Sequence, residues 1–327
     1  MAAGPAVLME KPRLILHIGS QKTGTTSIQG FLKNKADALA AEGVNYVSAG
    51  RTNIAHNSVL QAINQNGGKK VAKAMVAEIK ATPDVTHVIS SEMFFRRGLA
   101  PWFDKYFPRR IKRQAKVIAY IRRQDKYAEA MYKQRVKNGR YQGDPEDFAR
   151  EQIDLYYGRV LRQFSQVFGQ ENIIVRPFER RNFPNGDVQQ DFAHILGLSR
   201  ELAEGYDLPS SNATLSREVS EQLGDMRRAG TDINTRDIIR KIIAIKPQGA
   251  IRSGDCLSLA LRREIMAHHA KYNETIRATY CPDMEQLFDE KDLEDDAAYE
   301  LPTSLETAIR TEQAKHAIDL AIDQLSA

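Results

Sequence analysis

Cysteine is almost missing from this sequence: Cys256 and Cys281 are the only two in 327 residues, too few for a disulfide framework and without a metal-type spacing partner. Two free thiols suit a reducing compartment. Long apolar runs are missing too, since none approaches the ~20 residues that would span a bilayer. The start, Met1 to Lys11, is a short, weakly apolar stretch without a cleavage signature. A soluble chain with no transmembrane segment is therefore expected. There is no internal repeat and no low-complexity tract. Basic residues are dispersed with no aromatic stacking motif among them, which argues against a nucleic-acid partner. His268 and His269 have no ligand partner at helical spacing, so no metal is expected, and both are read as surface residues beside Arg262 and Arg263.

With 42% hydrophobic and 27% charged residues, the chain can build one large domain or two modest ones with a real core. The 47 basic and 42 acidic residues leave a net charge of +5, a mildly basic surface that suits an anionic ligand. Short runs rich in β-branched residues stand at Leu14 to Ile18, Val44 to Val47, Val85 to Ser90, Lys116 to Ile121 and Ile173 to Val175, with helical patterns between most of them. This alternation predicts an α/β fold, a parallel sheet covered by helices on both faces. One helix is predicted from Thr26 to Ala41, with Ile28, Phe31, Leu32 and Leu39 on one face.

From Asp187 onward the periodicity is helical: Val188 to Leu196, Ser216 to Arg228, Arg236 to Ile245, Leu257 to Tyr280 and Ser304 to Leu325. Pro209 to Asn212 and Pro247 to Gly254 read as loops. Asp289, Glu290, Asp292, Glu294, Asp295 and Asp296 read as a solvated linker. The expected organisation is an α/β core over 1–200, a helical region over 201–288 that completes the site, and an acidic linker with a C-terminal helix over 289–327.

Between the first strand and the first helix lies Gly19-Ser20-Gln21-Lys22-Thr23-Gly24-Thr25-Thr26-Ser27. Two glycines let the backbone curl, the helix start adds orphan N–H donors, and Lys22 adds a mobile cation, so the segment is predicted to cup an anion. In the nucleotide-triphosphatase loop, lysine directly follows the second glycine, and here that place is Thr25.

The pattern Lys-x-Gly-Thr-Thr resembles the 5′-phosphosulfate loop of the sulfotransferase family, and Gln21 to Ser27 match that motif apart from its usual leading proline. The resemblance implies 3′-phosphoadenosine 5′-phosphosulfate (PAPS) as donor and adenosine 3′,5′-bisphosphate as product. Gln21, Lys22, Thr23, Gly24, Thr25, Thr26 and Ser27 would hold the donor, with Lys22 stabilising the leaving oxygen. A sulfuryl group carries less negative charge than a phosphoryl group, so lysine and hydrogen bonds can manage its in-line transfer without a metal.

Two further motifs follow strands. Glu92, after the strand ending at Ser90, is the candidate general base, with Met93, Phe94 and Phe95 as a desolvating wall; capping the next segment or pairing with Arg96 is the competing reading. His56 is the alternative base, placed near the start of a helix over Ala55 to Asn64, because other branches of the family use histidine. Arg122 resembles the family's 3′-phosphate arginine, although Ala130 stands where the family has serine; Tyr132 or Lys133 are the candidate replacements, and a solvated Arg122–Arg123 pair beside Asp125 is the plain alternative. Asp191-Phe192 to Gly197-Leu198 looks like the family's helix before its late region. The late Arg-Lys-Gly loop has no clear counterpart, and Lys246 to Gly254, with Arg252, is the place for a substitute. By resemblance the acceptor is a hydroxyl or amine of a carbohydrate or glycolipid, and the location is cytoplasmic. An oligomer is compatible with the sequence. A noncatalytic nucleotide-binding protein and a P-loop-type kinase are the competing functions.

Overall fold

The protein, described here as a computed structural model, is defined over residues 12–151, 155–204, 213–230 and 234–326. Along the chain come β1 (Leu14–His17), α1 (Thr25–Asn34), α2 (Ala36–Ala41), β2 (Val44–Tyr46), α3 (Ser58–Asn64), α4 (Gly68–Ala81) and β3 (Thr86–Ser90). After a 3₁₀ turn at Glu92–Phe94 follow α5 (Leu99–Tyr106), α6 (Arg109–Arg113), β4 (Ala115–Ile121), α7 (Gln124–Lys137), α8 (Pro145–Glu151), α9 (Tyr157–Phe168) and β5 (Ile173–Pro177). The remainder is helical: α10 (Val188–Ile195), α11 (Arg200–Glu204), α12 (Arg217–Arg228), α13 (Thr235–Ile245), α14 (Leu259–Tyr280) and α15 (Ser304–Ser326).

All five strands form one parallel sheet in the order β2-β3-β1-β4-β5. β1 and β3 are buried at every position, as strands covered on both faces must be, and this is why they read as apolar runs rather than alternating ones. One face packs Ile15, Val88, Ile118 and Tyr120 against Ile28, Phe31 and Leu32 of α1 and Phe192 and Ile195 of α10. On α9, Val160, Leu161, Phe164 and Phe168 form the buried stripe of an amphipathic helix that packs on β4 and β5. The predicted helix Thr26 to Ala41 is broken at Lys35, whose N–H closes α1 on Phe31 O.

The residues fall into two compact units that interleave along the chain rather than following one another as expected. The first comprises Met1–Arg122, Tyr156–Leu208 and Lys271–Phe288; the second comprises Arg123–Leu155, Pro209–Ala270 and Asp289–Ala327. The sheet belongs to the first. In the second, α12, α13 and α15 close a core of Val219, Leu223, Ile238, Ile242, Ala317 and Ile318. The predicted loop Pro209 to Asn212 lies outside the described residues.

The second unit corrects several readings of charge. Arg123 is buried rather than solvated: Nε and Nη2 grip Asp125 at 2.7 and 2.9 Å, and Nη2 also reaches Asp292 at 2.9 Å. The acidic stretch from Asp289 is accordingly strapped down. Asp292 also accepts from the Tyr299 hydroxyl and pairs with Lys126 at 3.1 Å, and the neighbouring Leu293 is buried. Arg262 is fully buried, bonded to Asp125 at 3.0 Å and to Glu129, and His269 is buried while His268 is exposed. Burial alone would push the Asp125 carboxyl up; Arg123 and Arg262 outweigh it and hold the group below its ordinary range. Among the described residues no helix is long and apolar enough to cross a membrane.

Candidate functional site

Gly19 to Thr26 leaves the carboxyl end of β1, between its neighbours β3 and β4, where strand order reverses and open α/β sheets bind ligands. The backbone there is curled. Lys22 and Gly24 are both left-handed, at φ 67° and 72°, with Thr23 between them, an arrangement that turns successive amides toward one concave side. A non-glycine residue in that region is held against its own preference, so the surrounding loop must hold Lys22 there. Ser20 N–H on Tyr120 O at 2.8 Å ties the loop to β4, and Thr23 Oγ1 closes it by donating to Ser20 O at 2.5 Å. Gly24 is required twice over: its φ is positive, and a Cβ would stand 2.7 Å from Val188 Cγ1. Thr23, Thr25 and Ser27 are buried, Gln21, Lys22 and Gly24 are half-buried, and Thr26 is exposed.

Glu92 after β3 and Arg122 after β4 leave the sheet at the same edge as this loop, all within the first unit. His17 of β1 is in register with Ser90 of β3, so the loop and Glu92 leave neighbouring strands at one edge. Glu92 is held on both oxygens: Gln29 Nε2 of α1 donates to Oε2 and Asn57 Nδ2 to Oε1, each at 2.9 Å. Asn57 is itself oriented by Ser91 Oγ at 2.5 Å. Arg122, after β4, donates from Nη1 to Lys22 O at 3.0 Å and stands over the Phe178 ring. Its guanidinium thus braces the loop that the sequence assigned to the other phosphate. Of the expected desolvating wall, Phe94 is turned into the core against Phe103, and Phe95 packs on Tyr157.

Beneath Glu92 runs a buried chain that the sequence did not reveal. Gln29 Nε2 also donates to Ser90 Oγ at 3.3 Å, which leaves the serine's proton for His17 Nδ1 at 2.8 Å. His17 is fully buried, and burial drops its pKa to about 3, so it is a neutral imidazole beside Gly19. The detectable signal was the pairing of His17 with the residues just before Glu92 on neighbouring strands, which requires the strand order.

His56, the alternative base of the sequence reading, is tied into the fold at both ring nitrogens. It is fully buried and precedes α3, which begins at Ser58. Ser90 N–H reaches Nδ1 at 3.2 Å, and Nε2 lies 2.9 Å from Val47 O, so the neutral ring bridges β2 and β3 with both nitrogens in use. Burial lowers its pKa to about 4, with Arg51 adding to the effect.

The remaining candidates belong to the second unit. Lys133 is buried, its ammonium 2.5 Å from Asp255, 3.5 Å from Glu129, and donating to Leu215 O and Arg252 O at 3.0 and 2.8 Å. Tyr132 donates to Glu221 at 2.9 Å. Both side chains make these bonds within the second unit, to which Ala130 also belongs. Glu129, Asp255 and Cys256 gather closely enough to suggest a cation, and the Lys133 ammonium among them is that cation. Arg252 lies in the predicted loop, with its N–H on Thr214 O at 2.9 Å.

No family model matches the sequence. An uncharacterized protein of Archaeoglobus fulgidus is 33% identical over 145 residues, which are 42% of this chain and 38% of that protein. The match thus spans less than half of the relative's length. Among solved structures, a sulfotransferase from Alicyclobacillus acidocaldarius is 18% identical, with 73% of this chain and 97% of that one covered at a TM-score of 0.37.

Proposed function

We propose that the chain is a sulfotransferase that takes the sulfuryl group of PAPS to a hydroxyl or amine of a carbohydrate or glycolipid acceptor. The observation that carries this reading is the left-handed pair at Lys22 and Gly24, which opens the loop toward an anion, with a doubly held Glu92 leaving the adjacent strand. The residues suit the donor's 5′ end: curled amides and the start of α1 favour its negative oxygens, and the threonine and serine hydroxyls add donors. PAPS, when bound, supplies an electrophilic sulfur with a phosphate leaving group.

Lys22 offsets the charge that builds on the bridging oxygen as its bond to sulfur breaks. Glu92 takes the proton of the attacking hydroxyl as the new sulfur–oxygen bond forms. Each Glu92 oxygen accepts one neutral amide bond in the described network, and a carboxylate oxygen has a second lone pair for that proton. Arg122 serves the donor site through Lys22 O, keeping the loop curled.

Calorimetric titration tests the donor. Adenosine 3′,5′-bisphosphate should bind without metal and in preference to ATP with Mg²⁺; the reverse preference would mean a kinase. With a radiolabelled sulfate donor and a panel of glycans, Lys22→Ala should lower transfer by about 10²–10³-fold, as loss of a charge-stabilising donor does elsewhere. A second reading, a noncatalytic nucleotide-binding protein, draws on Ala130 together with the committed Tyr132 and Lys133. It predicts bisphosphate binding with no transfer to any acceptor in the parent protein.

A further inference from the structure

At the amino ends of the same strands, four residues of β1 and so about 13 Å from the loop, the first unit holds a second recess. A cavity of about 390 Å³ is lined by Arg13 ahead of β1, Arg110 and Arg113 of α6, Lys116 of β4, Asn172 and the single acid Asp84. Four cations against one carboxylate leave a formal excess of three positive charges around a space of small-molecule size.

The floor is rigid. Arg13 N–H bonds Gln114 O at 2.8 Å, His87 N–H bonds Arg13 O at 3.0 Å, and Thr86 Oγ1 donates to Pro12 O at 2.9 Å. On this floor Arg13 directs Nη2 to Ile79 O at 3.2 Å, while its Nε is buried with no hydrogen-bond partner among the described residues. Lys116 spends two of its three ammonium donors on Asn172 Oδ1 at 2.7 Å and Glu171 O at 3.2 Å. Cations in the last turn of a helix are favoured by its dipole, which accounts for part of the basic character of α6. That explanation does not reach Arg13, just ahead of β1, or Lys116 of β4, which bring two further positive charges to the same cavity.

We infer that this recess is a second anion site, for a compact phosphorylated molecule carrying at least two negative charges. Guanidinium forks match the paired oxygens of phosphate, and three of them around one cavity favour that chemistry over a single carboxylate. The site is separate from the loop and stands whether or not the chain transfers sulfate.

The test is calorimetric titration of the full chain with inorganic pyrophosphate at low salt, in the parent, in Lys22→Ala, and in Lys22→Ala combined with Arg110→Ala and Arg113→Ala. Arg110 and Arg113 have exposed side chains, and matched circular dichroism and melting curves keep loss of binding distinct from loss of fold. The expected result is one equivalent that survives Lys22→Ala, weakens at least about tenfold when both arginines are removed, and weakens again as salt is raised. The inference is overturned if no pyrophosphate binding survives Lys22→Ala, or if the surviving binding is indifferent to the two arginines.

Discussion

Glu92 is held by two neutral amides, and the base role proposed for it would depend on position as much as on charge. Glu92→Gln should lower turnover by roughly 10²–10⁴-fold, the usual worth of a general base, with bisphosphate affinity nearly unchanged. Gln29→Leu keeps the volume and removes the amide that orients Glu92, so a smaller loss, on the order of tenfold, should fall on turnover and not on donor affinity. Equal losses in both constants for either variant would make the cluster a structural one. At this scale the sequence was uneven. The curl of the loop was legible, because a glycine between strand and helix is free to take the positive φ that Gly24 has. The buried charges were not: Asp125 meets Arg262 across 137 positions, and no local pattern announces a partner that far away. A charged residue read alone defaults to the surface.

The strands were the most legible elements, because burial on both faces writes them as β-branched apolar runs. What could not be read was how their ends are tied. His56 joins Val47 O to Ser90, and His17 meets Ser90 Oγ, so two neutral rings stitch β1, β2 and β3 near the loop. Their pKa values, about 3 for His17 and about 4 for His56, lie below the ordinary imidazole value near 6.5. An unfolded chain therefore binds more protons than the folded one in this window. The contribution is complete above about pH 6.5 and is lost as pH falls toward 4 and then 3, on the order of 3 kcal/mol for His56 and 5 kcal/mol for His17. Urea unfolding at pH 7.5 and pH 5 should show the drop, and His17→Gln should remove about half of it, leaving the share of His56. A parent protein equally stable at both values would contradict the buried neutral assignment.

For the molecule as a whole, periodicity located most of the helices and gave no sign of their allegiance. The segment over 271–288 is far from the sheet in sequence, yet Ile276, Cys281, Leu287 and Phe288 are buried, and Cys281 Sγ lies 3.5 Å from Val175 O of β5. A fragment ending at Leu208 contains all five strands but not this segment. It should fail to give a cooperative melting transition and should aggregate, which light scattering would report; a well-folded fragment would show the segment to be dispensable. The interleaving also bears on synthesis. A ribosome cannot release a finished first unit until Phe288 has emerged, by which time much of the second is also out in incomplete form. The nascent chain must shelter two half-built bodies at once, so its yield in a cell should depend on chaperone supply more steeply than that of a protein whose domains are made one after the other.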